Sequence, residues 1–309
     1  MIDIVAAFTP VFLLILAGFV LQRTVITEQA HWVGIEQLAY YVLFPALIIE
    51  TLARADFGTM PVFDIGGALF GSILLTAAIC FALKPLLFKK LGMSGPAFTS
   101  FFQGATRWNS FIALAVTGNL YGNSGVALST IAIVVMIPPL NIMAVGVLTR
   151  YASHKPPNWQ DILLALARNP LIWSCIIGMA LKLLHPPIPA AIFTFADTLG
   201  RSSLALGLLV IGAGLKVDGL VRPHPVTLIT IALKLIVMPA LAVLIARSLG
   251  VGGTNLTVVA CCSGVPSAAT AYVLARQMGG DAPLMAQIIT LQTLVAVITL
   301  PVVIAIVSI

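Results

Sequence analysis

Apolar runs of about twenty residues fill this chain almost from end to end, parted by short stretches that hold its glycines, prolines and charges. A helix needs about 20 apolar residues to cross the hydrocarbon core of a bilayer. The runs and their breakers therefore predict ten spans, at roughly 4–22, 33–53, 62–83, 97–119, 124–149, 161–184, 190–215, 224–248, 254–277 and 283–308. Breakers such as Lys89-Lys90-Leu91-Gly92 and His154-Lys155-Pro156-Pro157-Asn158 separate them. The first run begins at Ile4 with no basic stretch before it and no small-residue cleavage site after it, so it reads as a retained helix.

A repeat runs through the pattern. Pro10 and Gly18 match Pro170 and Gly178 at an offset of 160; Asp56 and Pro61 match Asp218 and Pro223 at 162; Gly92 and Gly122 match Gly250 and Gly280 at 158. Nearly constant offsets in one order predict two five-helix repeats, residues 1–149 and 161–309, joined by a short linker at 150–160. Five is odd, so the second copy enters the membrane from the opposite face. Inverted repeats of this kind mark many secondary transporters, whose site lies at the midplane between the copies.

Composition confirms lipid as the solvent. Sixty per cent of the 309 residues are hydrophobic and 8% are charged, where a soluble domain carries roughly 25% charge. The net charge of +6 is no nucleic-acid signal, because the basic residues lie scattered between the apolar runs. Most follow the odd-numbered spans: Arg23; Lys84, Lys89 and Lys90; Arg150, Lys155 and Arg168; Lys216 and Arg222; Arg276. Arg54, Lys182 and Arg247 lie on the other side, and Arg107, Arg201 and Lys234 fall within spans. The positive-inside rule then places both termini on the extracytoplasmic side of the cell (inner) membrane. Cys80, Cys175, Cys261 and Cys262 fall inside apolar runs without metal-ligand spacing and read as packing residues. His31, His154, His185 and His224 lie in or near loops, and neither HExxH, GxSxG nor a phosphate loop occurs, so no enzyme or metal site is expected.

Two spans carry polar interruptions near their middles. The fourth reads Gln103-Gly104-Ala105-Thr106-Arg107-Trp108-Asn109-Ser110, and the ninth Ser263-Gly264-Val265-Pro266-Ser267-Ala268-Ala269-Thr270. At the 158 offset Trp108 and Asn109 fall on Pro266 and Ser267. Proline lacks the amide proton and clashes with the preceding turn, so the ninth span breaks there. Lipid cannot satisfy the backbone groups a break exposes, so the break must be buried in protein or line a polar cavity. With Asn109 or Ser110 and Ser267 as N-caps, two half-helices would aim their positive ends at one point. Arg107 adds a guanidinium suited to a carboxylate, or else is a structural charge paired with Glu50 or Asp197. Substrate contacts are therefore expected from Arg107, Trp108, Asn109, Ser110, Ser263, Gly264, Pro266 and Ser267. Coupling is open at this stage. Glu50, Asp64 and Asp197 are proton acceptors or solvated interfacial carboxylates, whereas Ser263, Thr270, Gln103 and Gln292 offer oxygen ligands to sodium. Asn141, Arg201 and Lys234 line the cavity or link helices.

The stretch Leu38-Ala39-Tyr40-Tyr41-Val42-Leu43-Phe44-Pro45-Ala46-Leu47, Asn109 with the downstream Tyr121-Gly122, and Ser263-Gly264-Val265-Pro266 resemble the auxin efflux carrier family, which includes plant PIN proteins and bacterial organic-acid carriers. The resemblance covers the whole chain. It implies crossed fourth and ninth helices, a scaffold from helices one, two, six and seven, a transport core from three to five and eight to ten, elevator-type alternating access and a homodimer. It makes Asn109 the asparagine that contacts the substrate carboxylate and Pro266 the second crossover proline. Trp108 departs from the pattern, standing where plant members have proline, and the long cytoplasmic loop of many of them shrinks here to about 150–160. The implied cargo is a malonate- or malate-like acid or another carboxylate, with auxin-like acids open as further cargo, and no cofactor is expected beyond H+ or Na+ as coupling ion. The alternatives are a sodium-coupled symporter of the bile-acid type and an intramembrane enzyme or sensor.

Overall fold

A computed structural model describes residues 2–55, 61–152, 160, 167, 169–216 and 225–308, with side chains from Phe8 onward. The helices are α1 (Ile2–Thr24), α2 (Gln29–Arg54), α3 (Val62–Leu91), α4 (Gly95–Thr106), α5 (Ser110–Tyr151), α6 (Pro170–Leu184), α7 (Ala190–Ala213), α8 (Pro225–Ser248), α9 (Gly253–Gly264), α10 (Thr270–Gln277) and α11 (Ala282–Val307). Among the described residues there is no strand. Among the described residues six stretches are long and apolar enough to cross a bilayer: α2, α3, the run Gly95–Tyr151, α7, α8 and α11. Of the remaining expected spans, Phe8–Thr24 and Pro170–Leu184 are the described apolar parts of the first and sixth, and the ninth is the interrupted pair α9 and α10. Asp56, His154, Lys155, Arg168, Asp218, Arg222, Pro223 and His224, with most of the 150–160 linker, lie outside the described residues.

Boundaries moved where local chemistry differs from simple apolar counting. The third span continues to Leu91 through Pro85, so Lys84, Lys89 and Lys90 stand on the end of a helix rather than in a loop. Arg276 likewise belongs to α10. Span four passes into span five through Gly122, whose φ of 58° requires glycine and turns the chain without a loop. Gly92 and Gly250, paired by the repeat, both have positive φ (61° and 80°), but Gly122 finds its counterpart in Gly279 (78°) instead of Gly280.

The chain forms two compact units. Met1–Val62, Phe111–Val134 and Leu163–Gly214 make the first. Glycine sets its helix spacing. A Cβ on Gly18 of α1 would lie 2.0 Å from the Leu209 carbonyl oxygen of α7, and one on Gly212 of α7 would lie 1.8 Å from that of Ile15. Gly178 of α6 approaches α2 less closely, a Cβ there lying 2.8 Å from Leu52 Cβ and 3.2 Å from the Ile49 backbone. Gly18 and Gly178 thus both stand where two helices come close. In hydrocarbon no hydrophobic force drives helices together, so close backbone approach through small residues is what holds such a unit. The Phe44 and Phe111 rings stack at 4.1 Å over Gly207.

Phe63–Ser110, Val135–Ile162 and Leu215–Ile309 make the second unit. Its core gathers Phe98, Phe101 and Phe102 of α4 with Leu87, Val147, Val226 and Leu233. One π-helical turn interrupts α8 at Leu233–Val237, and in the first unit another interrupts α2 at Ala39–Leu43. Each ends two residues before a proline, Pro239 and Pro45. The residue before each proline bonds five residues back, Met238 N–H to Leu233 O and Phe44 N–H to Ala39 O. The wider turn relieves the clash and the missing donor that proline brings.

Gly212→Val should fail by overpacking, since the atoms it meets are backbone; a loss of about 1–3 kcal/mol is expected. In detergent it should melt well below the parent protein, while Gly34→Ala, with nothing within 4 Å of the added carbon, should melt at the parent temperature or above.

Candidate functional site

Both interrupted spans break, and they break alike. Helices α4 and α9 are each 12 residues long and stand 158 positions apart. Each passes into extended backbone at the matching residue, Arg107 (φ −68°, ψ 156°) and Val265 (φ −67°, ψ 151°). The first gap is Arg107–Asn109, after which α5 begins; the second is Val265–Ala269, ahead of α10. Proline accounts for the second opening. No proline is present at the first, where Trp108 and Asn109 are both buried at 5% exposure.

The ends created by the breaks meet within the second unit. The Gly104 carbonyl has lost the amide that a continuing helix would supply. It accepts instead from the Ser267 hydroxyl at 2.7 Å and from Gln292 Nε2 at 2.9 Å. Gln292 Oε1 in turn accepts the Ser267 N–H at 3.0 Å. One glutamine on α11 therefore serves both breaks at once, and Gln292 and Ser267 are fully buried. Gly104 must be glycine, because a Cβ there would come within 2.7 Å of Ile288 and Thr230 side chains. At the end of α9, Lys234 Nζ donates to the Ser263 carbonyl at 2.9 Å and lies 3.2 Å from Met238 Sδ. Lys234 is fully buried and sits on the π-turn of α8, so its amine donates to the carbonyl end of α9.

Arg107 is 8% exposed. Its Nη2 donates to Asn141 Oδ1 at 3.0 Å and its Nη1 to Thr270 Oγ1 at 3.1 Å. Thr270 is the first residue of α10. Two neutral oxygens thus help to orient the guanidinium at the start of a helix. Four residues earlier, Gln103 is fully buried, and neither atom of its amide has a partner among the described residues.

Some expected roles are not those observed. Ser267 is not an N-cap: its hydroxyl turns back to Gly104 and its amide is taken by Gln292. Ala269 holds the cap position of α10 with no side-chain bond, because the turn starts three residues beyond Pro266. The Ala271 and Tyr272 amides bond the carbonyls of Ala268 and Ala269. No described group accepts from the amides of Ala268, Ala269 and Thr270, so the unspent donors lie later in the chain than Ser267. The Ser263 hydroxyl bonds Val259 O in its own helix, and only its carbonyl faces Lys234. Gly264 packs against Leu300 and Pro239. Arg107 has Asn141 and Thr270 as hydrogen-bond acceptors, whereas Glu50 pairs with Arg54 at 3.2 Å and Asp197 with Arg201 at 2.9 Å, each within its own helix of the first unit. Asp64 stands in the first turn of α3, where a negative charge complements the dipole. The double service of Gln292 was not readable beforehand. Its signal was a lone amide in an otherwise apolar run.

Long apolar helices, with two mid-span breaks satisfied by buried polar side chains, define a multi-pass membrane protein of transporter type. A family model described as membrane transport protein matches residues 3–304, and the chain belongs to that family, which is the auxin efflux carrier type. It is similar to an uncharacterized transporter of Methanothermobacter thermautotrophicus, 23% identical over 295 residues that cover 94% of each chain.

Replacing Gln292 by Leu should strand the Ser267 amide and remove one of two donors from the Gly104 carbonyl. A lost hydrogen bond alone costs about 1 kcal/mol, but a buried donor left bare costs about 1–3. The thermal melt should fall accordingly, and Gln292→Glu, which keeps the acceptor, should recover part of the loss.

Proposed function

We propose that this transporter carries a small organic anion with a carboxylate group, held where Arg107 meets the first turn of α10. The observation that carries the reading is the pairing of Arg107 with Thr270 Oγ1 beside amides that no described group uses. A helix start offers backbone donors and a positive dipole end to an anion. A planar guanidinium already oriented by Asn141 can add its charge without reorganising. Gln103, buried with two unspent polar atoms, supports a polar occupant in this part of the fold. Trp108 and Asn109 of the same gap, and Ser110 at the start of α5, are the remaining candidates for contact with the cargo.

The wider scheme we propose is ten crossings in two inverted repeats, exposing the site alternately to each face by an elevator movement, with both termini outside and two copies per assembly. Support for the repeat comes from equal lengths and matched end geometry of α4 and α9, and from Gly18 and Gly178, which both stand where two helices come close. Malonate- and malate-like acids are the favoured cargo, on the family's pattern.

We also propose that sodium does not couple this transport. Carbonyls freed by the breaks are the oxygen ligands a sodium ion would need. Here the Gly104 carbonyl is taken by Ser267 and Gln292, and the Ser263 carbonyl by the Lys234 amine.

Arg107→Gln in proteoliposomes should raise KM for a labelled dicarboxylate about ten- to a hundredfold, the worth of one charge-assisted contact. Insertion and melting should stay near the parent values. An unchanged KM would place the cargo elsewhere. Exchanging sodium for potassium should leave both uptake and melting temperature of the parent protein unaltered; a sodium-dependent rise in either would reinstate a coupled symporter.

A further inference from the structure

We propose that the second unit carries a binding site for one anionic membrane phospholipid, in a groove between the ends of α3 and α5. The groove has a volume of about 360 Å³ and is lined by Phe81, Phe102, Met143, Gly146 and Val147, with Arg150 and Tyr151 at one end. That size lies within the range of small-molecule sites. Its walls are hydrocarbon and aromatic, and its polar groups are confined to the rim.

Charge at that rim is one-sided. Lys84 Nζ donates to the Tyr151 hydroxyl at 3.0 Å and lies 4.4 Å from the centre of the Tyr151 ring. Arg150 Cζ lies 5.7 Å from the same ring centre. Lys89 and Lys90 follow in the last turn of α3. Among the described residues no carboxylate pairs with any of these four cations. Asp281, which approaches the start of α4 through its backbone bond to Pro96, caps α11 with its side chain on the Leu284 amide. Lys84 spends one of three donors on Tyr151, leaving two for a phosphate.

Depth fits a lipid rather than a soluble anion. From Val62 to Lys84 is roughly 33 Å at 1.5 Å per residue, close to the ~30 Å hydrocarbon core. The Lys84 ammonium therefore lies near the level of headgroup phosphates, while Phe81, Phe102 and Met143 lie beside acyl chains. Basic pockets between membrane helices at headgroup depth select anionic lipids. A free phosphate would use the cations and leave the apolar groove empty; a neutral lipid would use the groove and leave the cations uncompensated. Only an anionic phospholipid answers both.

Gly146 supplies a clean variant. It is exposed in the groove, and nothing lies within 4 Å of a Cβ built there, so Gly146→Trp fills the space and leaves every charge in place. Lys84→Gln with Arg150→Gln does the reverse. The test is the melting temperature of the purified full chain in neutral detergent, titrated with phosphatidylglycerol, with phosphatidylcholine of the same acyl chains, and with inorganic phosphate. Saturable stabilisation by phosphatidylglycerol is expected, with about thirtyfold weaker half-saturation in the charge variant and a comparable loss in Gly146→Trp. Arg150→Gln alone, at an exposed side chain, reports on charge if Gly146→Trp does not fold. Equal stabilisation by both lipids, stabilisation by inorganic phosphate alone, or an unaltered phosphatidylglycerol response in the variants that fold would each overturn the assignment.

Discussion

Lipid offers no hydrogen bonds, and every interrupted helix in this chain has to answer to that. When α4 stops at Thr106 and α9 at Gly264, carbonyls that would have met the next turn are left in the interior. A bare buried polar group costs about 1–3 kcal/mol, while a satisfied one contributes only about 1. The penalty, more than the gain, explains why polar side chains converge on these ends. Gln292, Ser267 and Lys234 are each completely buried, and each spends its polar atoms on a broken helix.

That satisfaction also makes the breaks rigid. Gln292 bonds one gap through its oxygen and the other through its nitrogen, so α4 and the segment before α10 are tied together as one object. The guanidinium of Arg107 is bound to the same object through Thr270 and Asn141. Buried polar bonds thus hold both breaks and Arg107 in one arrangement. Where freedom is needed, the backbone uses glycine; where close approach is needed it also uses glycine, for the separate reason that Gly18, Gly178 and Gly212 have no side chain to collide.

Proline shows how the same residue gives different outcomes. Pro266 stands in a gap that opens the helix. Pro45 and Pro239 are absorbed by π-helical turns that keep their helices going. Pro85 lies inside α3. The missing donor and the steric clash are the same in all four. What differs is the setting: Pro45 and Pro239 follow π-turns, whereas beside Pro266 the Ser263 carbonyl is taken by Lys234 of another helix.

Apolar run length and the scarcity of charge determined that this is a helical membrane protein, because a chain without polar surface has no other way to be solvated. Polar residues and Pro266 near mid-span marked where α4 and α9 would stop, since a proline and a cluster of hydrogen-bonding groups are local features. Arg107, Asn141 and Thr270 could be named from their rarity in apolar runs, but their meeting could not, as they lie far apart in sequence. Ser267 was assigned to the wrong task for the same reason: capping is judged from its own neighbours, and Gly104, more than 160 residues away, claimed its hydroxyl. The service of Gln292 to two gaps and of Lys234 to Ser263 was decided by tertiary structure alone. Hydrogen bonds that repair a broken helix depend on which helix is packed beside it, and that packing is a property of the whole fold.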